Sequence, residues 1–375
     1  MANYHFYAVV LPGLEELAVE ELQTLAAQSI TSGNGYVRFS GTQDTMYRVN
    51  LRSRCITRVM LSLQRCQVMS IDQLHHALSQ IDWGRYLTQG CAVKFHVATT
   101  HSRLMHTGKL EDAMDQYIQS LSLPNSMEDG NNAIEQKIHL YLNNNRCDIR
   151  IDTSGERLDK RGYRLESGKA PVRETLAAAV LRWMQWVPSA EPLWVPMCGS
   201  GTFAIEAAQM ATHTITHRDY AFLHWPTMNM KSWQRVLKKS PKRKSCAMLS
   251  IEASDSNIAA IQITKNNAER AGVVDSIQLE QCALKALQIG EITSPGVMIF
   301  NPPYNDRITD PDRIYFQIGE MIRNHFKEQR IAILMPSSNH HACKKALGLP
   351  IHRSTRMMHG GKYIEVIQVG KSLEL

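Results

Sequence analysis

Hydrophobic periodicity along the first 155 residues switches repeatedly between two-residue and helical spacing. The opening YHFYAVVL alternates like a strand, Pro12 and Gly13 mark a turn, and LEELAVEELQTL has leucines at helical spacing. The same alternation predicts further strands at 36–41, 54–66, 91–100 and 147–154, and helices at 45–53, 71–83 and 108–122. These elements predict an α+β region made of a first unit, 1–65, and a second unit, 66–155.

The pattern changes near residue 171, where PVRETLAAAVLRWMQW predicts a long helix that begins at Pro171. After it come strand, glycine loop, helix, strand, helix and strand, which is the order of a wound α/β fold. We therefore expect a linker with its helix over 156–190 and an α/β domain over 191–375. Ligands of such sheets bind beyond the carboxyl ends of the strands.

Composition is typical of a globular protein. The 375 residues are enough for two or three domains, with 43% hydrophobic and 21% charged residues. The eight cysteines include no CxxC pair, which argues against a zinc cluster or a disulfide framework and favours the reduced cytoplasm. We find neither a signal peptide nor a long uncharged apolar stretch, so we expect no membrane association.

The net charge of +7 suits a polyanionic partner, because lysine and arginine release counterions when they neutralise phosphates. The run KSWQRVLKKSPKRK, residues 231–244, has seven basic residues and no acidic one. A solvated surface loop is the usual interpretation of such a run. Because it lies between the glycine loop and Asp255 in sequence, contact with phosphates beside the active-site face is the alternative.

The glycine loop lies in LWVPMCGSGTFAIEAAQMA, where an apolar strand end runs through Gly199 and Gly201 into a helix. Glycines there let the backbone approach a ligand closely. The spacing matches neither the P-loop nor the full GxGxxG fingerprint, so a cofactor cradle and a simple tight turn both stay open. Asp255 ends the next strand, where it either caps a helix or binds ribose hydroxyls, and the preceding glycine loop favours ribose binding.

Asn301, Pro302, Pro303 and Tyr304 follow the apolar strand GVMIF and form the most specific motif of the chain. Two prolines cannot continue a sheet, so they hold a rigid turn at its carboxyl edge. The Asn301 side-chain oxygen and the Pro302 carbonyl can both accept hydrogen bonds from one exocyclic NH2, and Tyr304 offers a stacking face for a base. A generic strand-ending turn is the alternative.

Metal and hydrolase chemistry are both disfavoured. Neighbouring histidines such as His340 and His341 point apart and lack a third ligand at metal spacing, so we expect no metal. Ser200 lies in CGSG, which lacks the full GxSxG elbow and a suitable order of aspartate and histidine.

The second half resembles class I methyltransferases whose catalytic motif is Asn-Pro-Pro-Tyr, a group that modifies exocyclic base amines. In the first half, HSRLMHTGK (101–109) and DIRIDTSGERLDKRGYR (148–164) are similar to the end of a THUMP domain and the stretch after it, and APVRETLAAAVL is similar to the linking helix of that family. Within it, the chain resembles bacterial enzymes that make N2-methylguanine in ribosomal RNA. The implied fold class is α/β, with a C-terminal Rossmann-like methyltransferase domain preceded by an α+β ferredoxin-like plus THUMP region.

The resemblance also implies a cofactor, a partner and site residues. The cofactor is S-adenosylmethionine, and the partner is RNA, with ribosomal RNA expected and transfer RNA as the alternative. The residues that would hold the target guanine are Asn301, Pro302, Pro303 and Tyr304. The cofactor-binding residues would be Pro196, Cys198, Gly199, Ser200, Gly201, Thr202, Asp255, Cys282, Ala283 and Asn301. The RNA-binding residues would be Ser102, Arg103, His106, Thr107, Lys160, Arg161 and Arg164.

Two positions depart from the usual pattern of this family. Val195 stands where an acidic residue usually precedes the proline of the first motif, and Cys282 precedes Ala283 where an aspartate usually meets the adenine amine. Each lost polar contact costs about 1 to 3 kcal/mol of binding. Two alternatives therefore accompany the guanine-N2 methyltransferase: an adenine-N6 methyltransferase acting on RNA or DNA, and an RNA-binding protein with a weakened cofactor site. The sequence leaves the oligomeric state open.

Overall fold

The computed structural model describes residues 3–125, 135–166, 171–216, 218–241, 250–287, 295–303 and 311–372. The chain forms two compact units. The N-terminal unit comprises residues 1–10, 18–158 and 217–240, and the C-terminal unit comprises residues 11–17, 159–216 and 241–375. Residues 217–240 therefore belong to the N-terminal unit, although the segments before and after them in the chain belong to the C-terminal unit.

The regular elements are numbered here in chain order. The strands are β1 (Tyr4–Val10), β2 (Gln28–Gly33), β3 (Tyr36–Gly41), β4 (Ile56–Gln67), β5 (Val93–Thr100), β6 (Gln136–Asn143), β7 (Arg146–Asp152), β8 (Leu193–Pro196), β9 (Ile251–Asp255), β10 (Gln278–Gln281), β11 (Val297–Phe300), β12 (Arg330–Pro336), β13 (Arg353–His359) and β14 (Lys362–Gly370). The α-helices are α1 (Glu15–Thr24), α2 (Gln43–Arg52), α3 (Ile71–Ser79), α4 (Thr107–Gln119), α5 (Glu174–Trp183), α6 (Thr202–Ala211), α7 (Met230–Lys239), α8 (Ile258–Arg270), α9 (Pro311–Met321) and α10 (His340–Leu347).

The N-terminal unit is built on a sheet with the strand order β2-β3-β1-β4-β7-β6-β5. Neighbouring strands are antiparallel except β5 and β6, which are parallel. Two-residue alternation places Phe6, Ala8 and Val10 of β1 on a buried apolar face, while Tyr7 lies half-buried on the opposite face. Helices α2 and α3 contact β4, and α4 contacts β5.

Two of these strands, β2 and β6, lie outside the predicted strands. Strand β4 spans the predicted boundary at residue 65, and one sheet joins strands from both predicted units. The ranges 1–65 and 66–155, and the THUMP character of the second, therefore remain predictions.

Helix α7 occupies most of the basic run 231–244, for which the sequence leaves a solvated surface loop and contact with phosphates as alternatives. Trp233 and Val236 are buried, and the Trp233 ring meets Tyr47 of α2 edge-on at a centroid distance of 5.5 Å. Arg235 pairs with Asp44 at 2.8 Å. The loop interpretation is wrong for residues 231–239, because they form an amphipathic helix of the N-terminal unit. Their basic side chains belong to its polar side, and Trp233 and Val236 to its buried side. Residues 242–244 lie outside the described part of the chain.

The C-terminal unit contains a sheet with the strand order β10-β9-β8-β11-β12-β14-β13. The strands from β10 to β12 are parallel, and β14 and β13 are antiparallel to their neighbours. This confirms the α/β fold predicted for the second half. Strand β9 lies on one side of β8 in the sheet, and β11, which follows later in the chain, lies on the other side. The carboxyl ends of β8 and β11 therefore flank the topological switch point, where such sheets bind ligands.

Helix α5 begins at Glu174 rather than at the predicted Pro171. The Arg164 Nη2 donates to the Val172 carbonyl at 2.7 Å and lies 3.3 Å from the Glu174 carboxylate. These two contacts hold Val172 ahead of the first helical turn. The predicted helix start is therefore wrong by three residues.

Candidate functional site

The loop after β8 turns sharply because every second residue from Met197 to Gly201 adopts a left-handed backbone conformation. Met197, Gly199 and Gly201 have φ values of 63°, 59° and 82°. At Gly201 a Cβ atom would lie 2.5 Å from Cγ2 of Thr264, so this position requires glycine for space as well as for its backbone angle. At Gly199 no atom lies within 4 Å of such a Cβ.

Asp255, at the end of β9, holds this loop from the neighbouring strand. Its Oδ2 accepts from the Gly199 N–H and its Oδ1 from the Asn257 N–H, both at 3.0 Å. The cap of α8 is Asn257, whose side-chain oxygen accepts from the Ala259 N–H at 3.0 Å. The alternative of Asp255 as helix cap is therefore wrong, and its carboxylate faces the loop.

Two polar residues of α8, which the sequence motifs do not reveal, donate hydrogen bonds to the backbone of this loop. The Thr264 hydroxyl donates to the Gly199 carbonyl at 2.9 Å, and the Asn267 amide donates to the Ser200 carbonyl at 3.1 Å. Both side chains are fully buried. Their spacing of three residues on one helix face is the signal that could have found them, since buried polar side chains need partners.

Asn301, Pro302 and Pro303 follow β11 at the same edge of the sheet. Within the described part of the chain, the Asn301 Oδ1 is buried and has no hydrogen-bond partner. A buried acceptor without a donor is costly, so this atom suits a ligand that brings an N–H group. Tyr304 and its predicted stacking role lie outside the described residues.

A cavity of about 300 Å³ opens at the carboxyl ends of these strands. Among the predicted cofactor and catalytic residues, those that line it are Pro196, Cys198, Gly199, Ser200, Thr202, Asp255, Cys282, Asn301 and Pro303. The lining also includes residues without a predicted role: Pro171, Val172, Met197, Phe203, Ser254, Ser256, Leu284 and Leu287. Three other predicted residues, Gly201, Pro302 and Ala283, are not part of this lining. The geometry therefore brings nine of the predicted residues together around one cavity, with apolar walls and the polar groups of Asp255 and Asn301.

The two cysteines of the cavity differ in their surroundings. Burial raises the pKa of the Cys198 thiol to about 12, which disfavours the thiolate at neutral pH. The Cys282 N–H donates to the Asp255 carbonyl at 3.0 Å. Cys282 thus joins the end of β10 to the end of β9, and its backbone has a structural role beside Asp255.

Three predicted RNA-binding residues belong to the segment that leads into the C-terminal unit. Lys160 is exposed. Arg161 is buried, and its Nε lies 3.4 Å from the carboxylate of Glu206, which is itself fully buried. Arg164 donates to the Thr202 hydroxyl at 3.0 Å, at the start of α6. Arg161 and Arg164 are thus engaged in contacts inside this unit, where they position the helix that follows the glycine loop.

The other predicted RNA-binding residues surround the start of α4 in the N-terminal unit. Arg103, His106 and Thr107 are exposed. Ser102 is buried, and its hydroxyl donates to the Thr100 carbonyl at 2.9 Å and accepts from the Asn145 N–H at 3.0 Å. Ser102 thus shapes the turn that presents the other three.

Within the described ranges, no helix is long and apolar enough to cross a membrane. The same residues contain no group of three histidine, cysteine, aspartate or glutamate side chains arranged to hold a metal ion.

A mainly parallel sheet with a glycine loop at its switch point, an acidic residue on the next strand and a ligand-sized cavity defines a Rossmann-like methyltransferase architecture. The family model of the RMKL-like methyltransferase domain matches residues 161–362, and that of the RlmL ferredoxin-like domain matches residues 5–60. The first match covers more than half of the chain. The protein therefore belongs to the RMKL-like methyltransferase family, with an N-terminal ferredoxin-like domain.

Individual relatives agree with this assignment. Ribosomal RNA large subunit methyltransferase K/L of Methylococcus capsulatus is 32% identical over 346 residues, which is 88% of this chain and 46% of that protein. A Synechocystis protein, named as a candidate RNA methyltransferase, is 28% identical over 371 residues, which is 95% of this chain and 94% of that protein. The solved structure of SMU.472, described as a candidate methyltransferase complexed with SAH, has a TM-score of 0.86 at 27% identity and covers 100% of both chains. The chain spans about half the length of the K/L relatives it matches.

Proposed function

We propose that the protein is an RNA methyltransferase that transfers a methyl group from S-adenosylmethionine to the exocyclic N2 amine of a guanine in ribosomal RNA. Membership of the RMKL-like methyltransferase family supports the reaction class. The names of the relatives support RNA as the substrate class, and the SAH in the SMU.472 complex supports the cofactor. The choice of N2 of guanine follows the resemblance of residues 101–109, 148–164 and the linking helix to the bacterial guanine-N2 enzymes, because Asn301 to Tyr304 alone suit the amine of guanine or of adenine.

The residues of the cavity fit such a cofactor. When bound, S-adenosylmethionine supplies an electrophilic methyl group on a sulfonium. The glycine loop leaves open space at Gly199, where a Cβ would meet nothing within 4 Å, so the backbone can approach a ligand closely. Asp255 presents a carboxylate that suits ribose hydroxyls, and the apolar walls from Phe203, Leu284 and Leu287 suit a flat base.

The observation that carries the proposal is the buried Oδ1 of Asn301 at the edge of this cavity, which has no hydrogen-bond partner among the residues that the structure describes. An exocyclic amine can donate to this oxygen and to the adjoining Pro302 carbonyl, which would fix the amine nitrogen in line with the methyl carbon. As the N–C bond formed, the carbon–sulfur bond of the sulfonium would break, S-adenosylhomocysteine would leave as a neutral thioether, and the nitrogen would lose one proton to solvent. The side chain and the rigid turn then supply position and polarity, and no covalent intermediate with the protein is required. A guanine in folded RNA would leave its stack to reach the turn.

Nucleoside analysis of the methylated product tests this proposal. The purified protein is incubated with isotopically labelled S-adenosylmethionine and ribosomal RNA that was transcribed in vitro, and the digested RNA is separated into nucleosides. The proposal expects label in N2-methylguanosine. Label in N6-methyladenosine would replace guanine by adenine as the target, since the same turn can orient that amine. Absence of transfer together with absence of cofactor binding would favour the RNA-binding alternative, for which Val195 and Cys282 are the sequence basis.

A further inference from the structure

One face of the N-terminal sheet is polar, basic and aromatic rather than apolar. Directly paired residues of neighbouring strands share a face, and the register pairs Tyr7 with Arg38 on β3 and with Met60 on β4. The same face continues through Arg150 of β7 and His139 of β6. We call it the cationic-aromatic face; its chemistry-bearing members are Tyr7, Tyr36, Arg38, Arg58, Arg65, Lys94, His96, Lys137, His139, Tyr141, Arg146, Asp148, Arg150 and Asp152.

Aromatic rings form a nearly parallel series across this face. Tyr36 and Tyr7 stack at a centroid distance of 4.9 Å, and Tyr7 and Tyr141 lie 6.1 Å apart with an interplanar angle of 23°. The series continues to His139 at 6.1 Å and from there to His96 at 4.8 Å. The three tyrosines are half-buried and His96 is exposed, so the rings remain accessible from the solvent side.

The guanidinium of Arg150 lies within this series. Its Cζ is 3.6 Å from the centroid of Tyr7 and 4.2 Å from that of Tyr141. The side chain is only 3% exposed, and its Nε and Nη1 have no hydrogen-bond partner in the described part of the chain. The buried Nε2 of His139 also lacks a partner there. Buried polar atoms without partners are costly, so these atoms point to a ligand that supplies partners when the rings adjust: acceptors for the two Arg150 N–H groups, and a donor or an acceptor for His139 according to its tautomer.

The charge of this face is strongly positive. Its only carboxylates at paired strand positions are Asp148 and Asp152, both buried: Asp148 pairs with Arg150 at 2.7 Å, and Asp152 pairs with Arg58. A β-bulge between Ser62 and Gln64 brings Arg65 onto the same face. Arg38, Arg65, Lys94 and Arg146 are exposed. The exposed charge on the face is therefore exclusively cationic at the paired positions.

We propose that the cationic-aromatic face binds a single-stranded segment of RNA, with the exposed cations on phosphates and the rings on bases. Stacking on aromatic side chains together with backbone neutralisation by lysine and arginine is the chemistry by which sheets bind unpaired nucleotides. The face from β3 to β5 spans five strand spacings, or about 24 Å, enough for several nucleotides. This inference rests on the proposed function for the identity of the partner, and it assigns a contact surface beyond the RNA-binding residues predicted from sequence.

Fluorescence anisotropy with a labelled twelve-nucleotide oligouridine tests the cationic part. Arg38→Glu/Lys94→Glu should bind the oligonucleotide at least tenfold more weakly than the wild type. The slope of log affinity against log salt should fall by roughly 1.4, because each lost phosphate contact on a single strand removes about 0.7. The matched control is Lys327→Glu/Lys371→Glu, which reverses two exposed charges at the amino edge of the C-terminal sheet, opposite the cavity. The control should bind as the wild type does.

A second pair of variants tests the aromatic part. Tyr141→Phe keeps the ring and should bind like the wild type, whereas Tyr141→Leu should bind about five- to tenfold more weakly. If Tyr141→Leu does not fold, the same pair at Tyr36 replaces it. Equal loss in the phenylalanine and leucine variants, or unchanged affinity in the double charge reversal, would overturn the proposal, as would tighter binding of a duplex than of the oligouridine.

The result for the cationic-aromatic face can be distinguished from the result for the proposed function. If the wild type methylates RNA but does not bind the oligouridine, the sheet-face proposal fails and the methyltransferase proposal stands. If oligouridine binding depends on Arg38, Lys94 and Tyr141 but calorimetry detects no binding of S-adenosylmethionine, the methyltransferase proposal fails and the sheet-face proposal stands.

Discussion

The carboxylate of Asp255 accepts a hydrogen bond from the backbone N–H of Gly199 at 3.0 Å and thereby ties the end of β9 to the loop after β8. Its second oxygen accepts from the Asn257 N–H at the same distance. One side chain therefore holds the glycine loop, orients the start of α8 and lines the cavity. The cofactor site of this account depends on that arrangement.

Replacing Asp255 by asparagine should weaken the binding of S-adenosylmethionine tenfold to a hundredfold, a loss of about 1 to 3 kcal/mol. The amide offers one accepting oxygen where the carboxylate offers two, so either Gly199 or Asn257 loses its acceptor. Calorimetric titration measures the change. Asp275→Asn, at an exposed position of the same unit, is the control and should leave the affinity unchanged. Equal affinities for Asp255→Asn and the wild type would remove Asp255 from the cofactor site.

Gly201→Ala should lower the midpoint of thermal unfolding more than Gly199→Ala. Both glycines have positive φ, which costs an alanine about 1 to 2 kcal/mol. Only at Gly201 would the new Cβ also approach Thr264, at 2.5 Å. Thermal scans of the two variants side by side provide the measurement, and a larger loss at Gly199 would show that the packing of Thr264 does not constrain the loop.

Glu206→Gln should destabilise the protein by about 3 to 5 kcal/mol, because it removes the negative charge that lies 3.4 Å from the buried Arg161 guanidinium. Burial lowers the pKa of the Arg161 guanidinium, but Glu206 and its neighbours outweigh this and raise it above the usual value. Glutamine has nearly the same shape as glutamate, so the change in unfolding free energy reports the loss of the charge. Denaturant unfolding, with Glu269→Gln at an exposed position as the reference, checks the prediction. A shift no larger than that of the reference would contradict a structural role for this pair.

His139 should make the protein less stable as the pH falls below neutrality. Burial, followed by the nearby His96 and the cations Arg58, Arg150 and Lys137, lowers the pKa of His139 to about 3. An unfolded histidine titrates near 6.5, so between about pH 6.5 and 3 the unfolded state binds the extra proton and gains stability.

The variant His139→Leu isolates this contribution. Between about pH 7.5 and pH 5, the wild type should lose about 2 kcal/mol more unfolding free energy than the variant. Denaturant unfolding at the two pH values measures both. Parallel losses in wild type and variant would mean that His139 is protonated in the folded protein.

The cavity could be predicted from the sequence because its residues follow strand ends. In a wound parallel sheet the carboxyl ends meet at one edge, so Gly199, Asp255 and Asn301 converge although they are far apart in the chain. Glycines, an acidic residue and a double proline at such ends are local signals that need no knowledge of packing.

Other features depend on tertiary contacts that periodicity does not encode. The pattern in β2 is almost wholly exposed, so it lacks the alternation of a half-buried strand. Helix α7 is an exception, because Trp233, Val236 and Leu237 have helical spacing, but the run of basic residues around them drew the interpretation towards a loop. Thr264 and Asn267 donate to carbonyls of the loop after β8, and Arg161 pairs with Glu206. These contacts join residues that are far apart in the chain.

The methyl-transfer rate of Asn301→Ala tests the central claim most directly. The measurement is the transfer of labelled methyl groups to ribosomal RNA under single-turnover conditions, with calorimetry of S-adenosylmethionine and RNA alongside. Exposed Asn324→Ala serves as the control. We expect Asn301→Ala to abolish transfer while RNA affinity stays near that of the wild type, and the control to transfer normally. Normal turnover in Asn301→Ala would contradict the assigned role of the turn and, with it, the proposed reaction site.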